Sequence, residues 1–488
     1  MTYSTRVVTA LTVAGVLFTP TPALGSDLLR TDFNGDGDAE LVVGVPSDHF
    51  ATLPIRGAIN IIPGSSNGLY AGPDQLWHLG RLGIAGLDGG AIGGATATGD
   101  FDGDGYADMA AGAQESANGV TRGAVHVLYG TSQGLTTAGA QRWSLQGGDF
   151  GRDVAVGDLN GDGFDDLAVV GGKGVTVLYG SPTGLRGATK QLWSGLSGPL
   201  AAGDVNGDGR GDLVASRDEG TLVALFGSPA GLVAAGSQTW SVPHTPVAIG
   251  DFDGDGFGDV VASDPKMGYY WNGFYRFEAG LVRVRYGSAN GLSPRKKTWS
   301  QRSEGVEGDP GWACLEVGPC GGDNFGSALA AGDINGDGAD DLAVGVFNDG
   351  FFNTVGRVSV LYGVVGVGLS AHGNQLWSQD SPGIEGVATL RNDYGDFFGA
   401  SLAIIDANGD GAGDLAVGAP QDDTRPVDSS TPVVGAVNVI YGRLGGRLAA
   451  SGNQLWSQRS PGIKGVAEEE DEFGAALANE GGRLRPFE

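Results

Sequence analysis

Short apolar runs bounded by glycine alternate along this chain with polar, glycine-rich turns. Runs such as Asp-Leu-Ala-Val-Val (Asp166–Val170) and Asp-Leu-Ala-Val-Gly (Asp341–Gly345) predict buried strands. A second kind of run begins with glycine and alternates, as in Gly123-Ala-Val-His-Val-Leu-Tyr129, and predicts a further strand. An aromatic-glycine pair precedes the polar turn in several units, as in Phe150-Gly151, Phe325-Gly326 and Phe398-Gly399, and a segment ending in tryptophan closes each unit. The pattern therefore predicts four strands per unit.

The unit recurs seven times, which indicates a repeat architecture. The units span roughly residues 26–77, 91–143, 149–193, 196–240, 243–299, 324–377 and 397–456, with terminal tryptophans at Trp77, Trp143, Trp193, Trp240, Trp299, Trp377 and Trp456. Four antiparallel strands cannot bury both faces alone, whereas a ring of such sheets leaves only short edges. We expect an all-β fold, a seven-bladed β-propeller of four-stranded antiparallel blades.

The polar turn of every unit is a nine-residue pattern with acids at the first and ninth positions, Asn or Asp at the third, and Gly-Asp-Gly at positions four to six. Oxygen ligands at alternate positions of a tight turn point at one centre. The expected ligands at positions one, three, five and nine, with the backbone carbonyl at position seven, are Asp32, Asn34, Asp36, Asp38, Glu40; Asp100, Asp102, Asp104, Tyr106, Asp108; Asp158, Asn160, Asp162, Phe164, Asp166; Asp204, Asn206, Asp208, Arg210, Asp212; Asp251, Asp253, Asp255, Phe257, Asp259; Asp333, Asn335, Asp337, Ala339, Asp341; and Asp406, Asn408, Asp410, Ala412, Asp414.

An all-oxygen ligand set suits a hard cation, above all Ca²⁺, and the pattern predicts up to seven calcium sites. An EF-hand would need a Glu at the twelfth position and flanking helices, whereas here the closing acid is ninth and runs into a strand. The remaining alternative is a polar β-turn that binds nothing. Repetition of the acids in every unit favours the calcium loop.

The units resemble the FG-GAP repeats of the integrin α-subunit β-propeller. The resemblance is carried by Phe-Gly pairs such as Phe325-Gly326, by Gly-Asp-Ile-Asn-Gly-Asp-Gly (Gly332–Gly338) and by Asp-Leu-Ala-Val-Gly-Ala-Pro (Asp414–Pro420). It covers nearly all of the chain after residue 25 and implies a propeller that acts as an adhesion-like binding module. Units four and five depart from it, with Leu196-Ser197 and Pro243-His244 in place of Phe-Gly.

The two ends of the chain carry separate predictions. Residues 1–25 resemble a secretory signal, with Arg6, an apolar run and a cleavage site after Ala23 or Gly25, so we expect a secreted, extracellular protein. No later apolar run is long enough to span a bilayer. Residues 472–488 hold a last inner-strand pattern, Phe473-Gly-Ala-Ala-Leu-Ala478, without a polar turn. We expect this strand to pair into the first blade and close the ring.

The net charge limits the kinds of binding partner, and the two cysteines predict a disulfide. The formal net charge is −28, half of which seven Ca²⁺ ions would neutralise, and no basic stripe exists for nucleic acid. We expect a monomer. Cys314 and Cys320 are the two cysteines, and in an oxidising compartment we expect them to form one local disulfide.

No sequence motif predicts catalysis. The Gly-x-Ser-x-Gly spacing of a serine hydrolase occurs at Gly64-Ser65-Ser66-Asn67-Gly68. Similar Gly-Ser sequences stand at the equivalent position of other units, so this segment is predicted to be a hairpin turn. His126 is expected to be structural, and His49 and His372 to lie in loops. Arg210-Gly211-Asp212 looks like an integrin ligand, yet Asp212 is an expected calcium ligand.

Successive antiparallel strands alternate in direction, so the connections between second and third strands and between blades should lie on one face of the propeller, called the top. The variable connections of blades five to seven are of this kind. Aromatic residues on these connections are candidates for binding a protein or glycan: Tyr269, Tyr270, Trp271, Phe274, Tyr275, Trp312, Phe351 and Phe352. The plainer interpretation is that they form a small apolar core for the long loops. The alternative function is a carbohydrate-active enzyme, a polysaccharide lyase or glycosidase, with Tyr269, Tyr275 or His372 as acid or base.

Overall fold

The computed structural model describes residues 31–49, 56–83, 87, 89–145, 149–218, 220–242, 246–271, 274–276, 279–308, 322–346, 355–388, 390–391, 394–422, 433–468 and 471–478. Every regular element in these segments is a β-strand, so the all-β prediction is confirmed. The signal sequence predicted for residues 1–25 lies outside the described residues. The described residues contain no helix with the length and hydropathy needed to span a bilayer.

The strands occur along the chain in the following order. The first two units contribute β1 (Leu41–His49), β2 (Arg56–Ile62), β3 (Gln75–Trp77), β4 (Gly89–Gly99), β5 (Asp108–Ala117), β6 (Val120–Tyr129) and β7 (Thr136–Ser144). The third and fourth contribute β8 (Val154–Gly157), β9 (Asp166–Gly171), β10 (Gly174–Tyr179), β11 (Arg186–Ser194), β12 (Ser197–Gly203), β13 (Asp212–Asp218), β14 (Thr221–Phe226) and β15 (Val233–Ser241).

The later units carry small additional hairpins. The fifth contains β16 (Val247–Gly250), β17 (Asp259–Asp264), β18 (Tyr269–Trp271), β19 (Phe274–Arg276), β20 (Leu281–Arg285) and β21 (Lys296–Trp299). The sixth and seventh contain β22 (Leu329–Gly332), β23 (Asp341–Val346), β24 (Arg357–Tyr362), β25 (Ser370–Trp377), β26 (Leu390–Arg391), β27 (Tyr394–Gly395), β28 (Ser401–Ile405), β29 (Asp414–Ala419), β30 (Ala436–Ile440) and β31 (Gln454–Trp456), and the chain ends in β32 (Ala476–Leu477).

Units three to seven each form one antiparallel four-stranded sheet, with the pairs β18–β19 and β26–β27 standing apart. Strands β4–β7 and strands β32, β1, β2 and β3 form two similar groups, which a single parallel pairing of Arg56 with Ala91 joins into one eight-stranded sheet. In the group that contains β1, Val43 pairs with Leu477 of β32 and Gly44 pairs with Ala476. The strand after the last unit therefore completes the sheet of the first unit. These sheets are open, and their arrangement is consistent with a propeller.

The first strands of neighbouring sheets contact one another in sequence. The contacts run from β4 through β8, β12, β16, β22 and β28 to β32, and β32 in turn contacts β4. The buried core follows the same order, because each hydrophobic cluster combines side chains from two neighbouring units. One cluster joins the first and seventh units and includes Leu41, Val439, Phe473 and Leu477.

The outer strands are joined by a repeated hydrogen-bonded junction. In the third unit the Tyr179 hydroxyl donates to Gln191 Oε1 at 2.6 Å and accepts the Leu232 N–H of the next unit at 3.3 Å. The same arrangement joins the seventh unit to the first through Tyr441, Gln454 and Leu69. These junctions link each of these units to the next by hydrogen bonds.

In the second unit, the buried His126 and the partly exposed Arg142 both contact the buried Glu115 carboxylate. The structural role predicted for His126 agrees with its burial. Burial alone would raise the pKa of Glu115, but the hydrogen bonds from Arg142 and His126 outweigh it and lower that pKa to about 2. The carboxylate therefore stays ionised across the neutral and mildly acidic range.

We expect E115Q to destabilise the protein at neutral pH by about 2 kcal/mol, because it removes charge-assisted hydrogen bonds. Since the folded-state pKa of Glu115 is lowered, its stabilising effect is complete above the ordinary value of 4.5 and is lost as the pH falls toward about 2. The difference in melting temperature between wild type and E115Q should shrink over that interval. E304Q, at an exposed glutamate, is the control. A difference independent of pH would contradict this assignment.

Candidate metal-binding loops

The first acid of each polar turn organises the turn around its own carboxylate. In the second unit, Asp100 Oδ1 accepts the N–H of Gly103 at 2.6 Å and of Asp104 at 3.2 Å, and Oδ2 accepts the N–H of Gly105 at 3.0 Å. Gly103 and Gly105 have φ values of 71° and 89°, a left-handed conformation that glycine adopts without strain. The Gly-Asp-Gly sequence therefore permits the tight turn.

The ninth acid anchors the turn to its sheet. Asp108 is fully buried, and its carboxylate accepts the Phe101 N–H at 2.9 Å and the Gly130 N–H at 2.8 Å. The equivalent acids of five other units accept two backbone N–H groups in the same way, and they are Asp166, Asp212, Asp259, Asp341 and Asp414. Asp212 of the Arg-Gly-Asp sequence is among them, so its carboxylate faces the interior.

Burial makes these ninth-position carboxylates hard to ionise. The pKa of Asp108, Asp166, Asp259 and Asp414 is raised to about 8, mainly by burial. The other acids of each turn also raise this pKa, whereas the hydrogen bonds from backbone N–H groups lower it. Burial also raises the pKa of Glu40 in the first turn to about 8 and the pKa of Asp212 to about 7. The pKa of Asp341 is raised well above its usual value for the same reason. A positive charge at the turn would offset this cost.

In three of the turns, three carboxylates lie with ligand atoms within 4.8 Å of one another, and the groups are Asp32, Asp36 and Glu40; Asp100, Asp102 and Asp108; and Asp251, Asp253 and Asp255. The turns at Asp158, Asp204, Asp333 and Asp406 do not form such a group among the described residues. In the fifth turn, Asp253 Oδ1 is buried and has no hydrogen-bond partner. These oxygen-only groups could hold a hard metal ion.

Neighbouring turns are hydrogen-bonded to each other. The backbone N–H of the eighth position donates to the carbonyl of the first acid in the preceding turn, as between Asp165 and Asp100 at 2.9 Å. The series continues with Gly211 to Asp158, Gly258 to Asp204, Asp340 to Asp251, Gly413 to Asp333, Ala39 to Asp406 and Ala107 to Asp32. The seven turns thus form one uninterrupted hydrogen-bonded cycle, which the sequence analysis did not anticipate.

The side chain at the seventh position packs over the first glycine of the preceding turn. Phe164 lies against Gly103 and Phe257 against Gly207. The sixth and seventh turns have Ala339 and Ala412 at this position, which are too small to cover the neighbouring glycine. Valine and leucine from the connections between third and fourth strands cover those sites instead, with Val365 at Gly254 and Leu444 at Gly336.

His49 and His372 were expected to lie in loops, and the segment from Gly64 to Gly68 was expected to form a hairpin turn. His372 lies in β25 with its backbone N–H bonded to Ser370, and His49 is the last residue of β1, so the expectation that both lie in loops is wrong. His49 pairs with Arg56 of β2, whereas His372 lies at an irregularity in the register of β25 with β24. Ser65 accepts the Gly68 N–H through its carbonyl, as in a tight hairpin turn.

The aromatic residues proposed for the top face are only partly described. Tyr269, Tyr270 and Trp271 form β18, which pairs with Phe274 and Tyr275 in β19 as a short hairpin between the second and third strands of the fifth sheet. Trp312, Phe351 and Phe352 lie outside the described residues, as do Cys314 and Cys320 of the expected disulfide. The aromatic site and the disulfide therefore remain predictions.

Comparison with known families identifies the repeats. Residues 100–169 and 158–215 match the FG-GAP-like repeat, and residues 24–54, 325–361 and 398–437 match the FG-GAP repeat. The resemblance to FG-GAP repeats that the sequence carries is thereby confirmed.

Curated relatives match about a third of the chain or less. Integrin alpha-X of Mus musculus is 36% identical over 166 residues, which cover 32% of this chain and 13% of that protein. Phosphatidylinositol-glycan-specific phospholipase D of Rattus norvegicus is 36% identical over 132 residues, covering 26% of this chain and 14% of that protein. This chain thus matches only a small part of these longer proteins, and the comparisons do not favour the carbohydrate-active enzyme as an alternative.

Among solved structures, one of an Agrocybe aegerita protein, described by its specific recognition of non-reducing terminal N-acetylglucosamine, has a TM-score of 0.45 and 14% identity. It covers 91% of this chain and 96% of that one. A likeness at this level does not establish a shared ligand.

Proposed function

Since segments of this chain match FG-GAP repeats and resemble integrin alpha subunits, we propose that it is a secreted binding module built on a calcium-stabilised seven-bladed β-propeller. The module would hold a protein or glycan ligand on the top face of blades five to seven. The observation that carries the proposal is the hydrogen-bonded cycle of seven acidic turns, because it combines a repeated ligand set with a rigid frame.

Several observations support seven blades. The inner strands contact one another in cyclic order, each core cluster combines two neighbouring units, and β32 from the chain end completes the sheet of the first unit. Seven sheets related in this way bury both faces of every sheet. The eight-stranded sheet counts as two blades, because a single residue pair joins its halves.

Calcium would act as a structural ion. Each turn concentrates carboxylates around one point, and the buried ninth acid is costly to ionise without a nearby cation. A divalent ion with oxygen ligands would remove that repulsion and fix the turn. The first, third, fifth and ninth positions would supply side-chain oxygens and the seventh a backbone carbonyl. The millimolar calcium outside cells would fill even weak sites of this type.

A scaffold of this kind leaves its variable connections free for recognition. The β18–β19 hairpin concentrates aromatic residues at a single connection, whereas the equivalent connection of the second unit is the plain turn Asn118-Gly119. Aromatic side chains bind sugars and anchor protein interfaces through their large apolar faces. We place the ligand contact on this hairpin and on the neighbouring predicted loop residues Trp312, Phe351 and Phe352.

The hairpin can be tested by glycan-array binding of the full chain with calcium present. The double variant Y270A/W271A should lose at least about tenfold in affinity for any glycan that the wild type binds, in line with the loss of two aromatic anchors. The control V120A/R122A alters exposed residues at the corresponding connection of the second unit and should bind as the wild type does. Unchanged binding by Y270A/W271A would place the ligand elsewhere. Turnover of the bound glycan would instead show an enzyme.

A further inference from the structure

The second and fifth turns offer the same set of proposed calcium ligands. They are the turns that have Asp at all four side-chain positions, and the two sets are Asp100, Asp102, Asp104, Asp108 and Asp251, Asp253, Asp255, Asp259. Their seventh positions are both aromatic. By sequence alone, the two turns should bind a divalent cation equally well.

The structure distinguishes them by one arginine. Arg295 Nη1 forms an ion pair with Asp253 Oδ2, and the Asp253 side chain is only 3% exposed. The Arg295 guanidinium lies 3.7 Å from the ring centroid of Tyr286 and also donates to the carbonyl of Val367 in the next unit. These contacts hold a positive charge against the fifth turn.

The second turn has no such partner. Counting from the tyrosine that ends the third strand, Arg295 lies nine residues after Tyr286, and the residue nine after Tyr129 in the second unit is Ala138, which is exposed. Among the described residues, no arginine or lysine forms an ion pair with the second turn. Asp102 is also more exposed than Asp253.

The arginine leaves one oxygen of Asp253 available. Oδ2 is occupied by Arg295, whereas Oδ1 is buried and has no hydrogen-bond partner. Asp253 also contributes one carboxylate oxygen to the close group with Asp251 and Asp255. The fifth turn therefore keeps an oxygen of Asp253 as a candidate ligand, while its acidic cluster is opposed by one fixed positive charge. A fixed unit charge near the site weakens the attraction for a cation.

We propose that Arg295 is a built-in counter-ion that makes the fifth turn a weaker divalent-cation site than the second turn, although the two have the same ligand residues. This inference rests on the calcium-binding function proposed above. The turns then fill in order as calcium rises, with the fifth after the second. When the fifth is empty, Arg295 keeps the buried Asp253 compensated.

Calcium titration of the full chain by calorimetry tests this proposal. R295Q, which keeps a polar side chain of similar length but no charge, should raise the affinity of one site by about tenfold. R295M is a second neutral variant in case R295Q does not fold. The matched control is K297A, which removes a positive charge two residues away. Lys297 lies over Trp299 at 3.9 Å and donates to the Leu369 carbonyl rather than to a turn acid.

The double variant R295Q/D255N assigns the effect to the fifth turn, because it should abolish the gain seen with R295Q. Unchanged or weaker binding by both R295Q and R295M, or an equal gain with K297A, would overturn the role of Arg295. Absence of calcium uptake by the wild type would instead overturn the proposed calcium function. The two failures are therefore distinguishable.

Discussion

Removal of calcium with a chelator should lower the melting temperature of this protein by at least about 10 °C. Each filled turn stabilises the folded state in proportion to the logarithm of free calcium over its dissociation constant, about 2.7 kcal/mol per site at a hundredfold excess. Loss of several proposed sites on one cooperative cycle would shift the melting temperature by many degrees even in a large protein. Scanning calorimetry in EGTA measures this shift.

Two controls separate calcium binding from general electrostatics. Excess Ca²⁺ added after the chelator should restore the original melting temperature, whereas NaCl at matched ionic strength should not, because screening acts weakly on buried carboxylates. D108N replaces one proposed ninth-position carboxylate ligand by a neutral amide and should lower calcium stoichiometry while leaving the other turns able to bind. A melting temperature unaffected by EGTA would remove the calcium proposal.

Deletion of residues 471–488 should destabilise the protein more than any single surface change, with a melting temperature lower by about 10 °C or more, or failure to fold. The deletion removes β32 from the first sheet and takes away Phe473 and Leu477, which are 0% and 3% exposed. Loss of a buried phenylalanine alone costs about 3–5 kcal/mol. Thermal unfolding followed by circular dichroism measures the change.

The matched control is deletion of residues 479–488, which leaves β32 in place. This shorter deletion should melt close to the wild type. The variant F473A should give an intermediate effect, because it keeps the backbone pairing of β32 but leaves a cavity between the first and seventh units. Equal stability of the two deletion variants would contradict the role of β32 in holding the chain ends together.

Local sequence was sufficient to predict much of this fold. The strands Asp166–Gly171 and Asp341–Val346 coincide closely with the apolar runs that follow the acidic turns, because each run is buried on both faces and ends at glycine or a turn. Gly-Asp-Gly predicted the turn, since its glycines adopt the left-handed conformation that the turn requires. These features depend on neighbouring residues alone.

Contacts between residues far apart in the sequence were beyond such reasoning. The pairing of Arg295 with Asp253 joins residues 42 positions apart, and the Ala39 to Asp406 hydrogen bond joins opposite ends of the repeat series. The covering of Gly254 by Val365 has a faint sequence signal, because alanine replaces a large side chain in the sixth turn. Recognising it required knowing that neighbouring turns touch.

The hydrogen-bonded cycle of turns has a consequence for how such a protein can change in length. An open solenoid can gain or lose a repeat at its end and keep every remaining contact. Here the N–H of Ala39 and the carbonyl of Asp406 are already partners, so one inserted or deleted unit would have to change the angle at all the remaining junctions at once. Copy number is therefore constrained by geometry, and variation between related proteins should accumulate in loop sequence and not in the number of units.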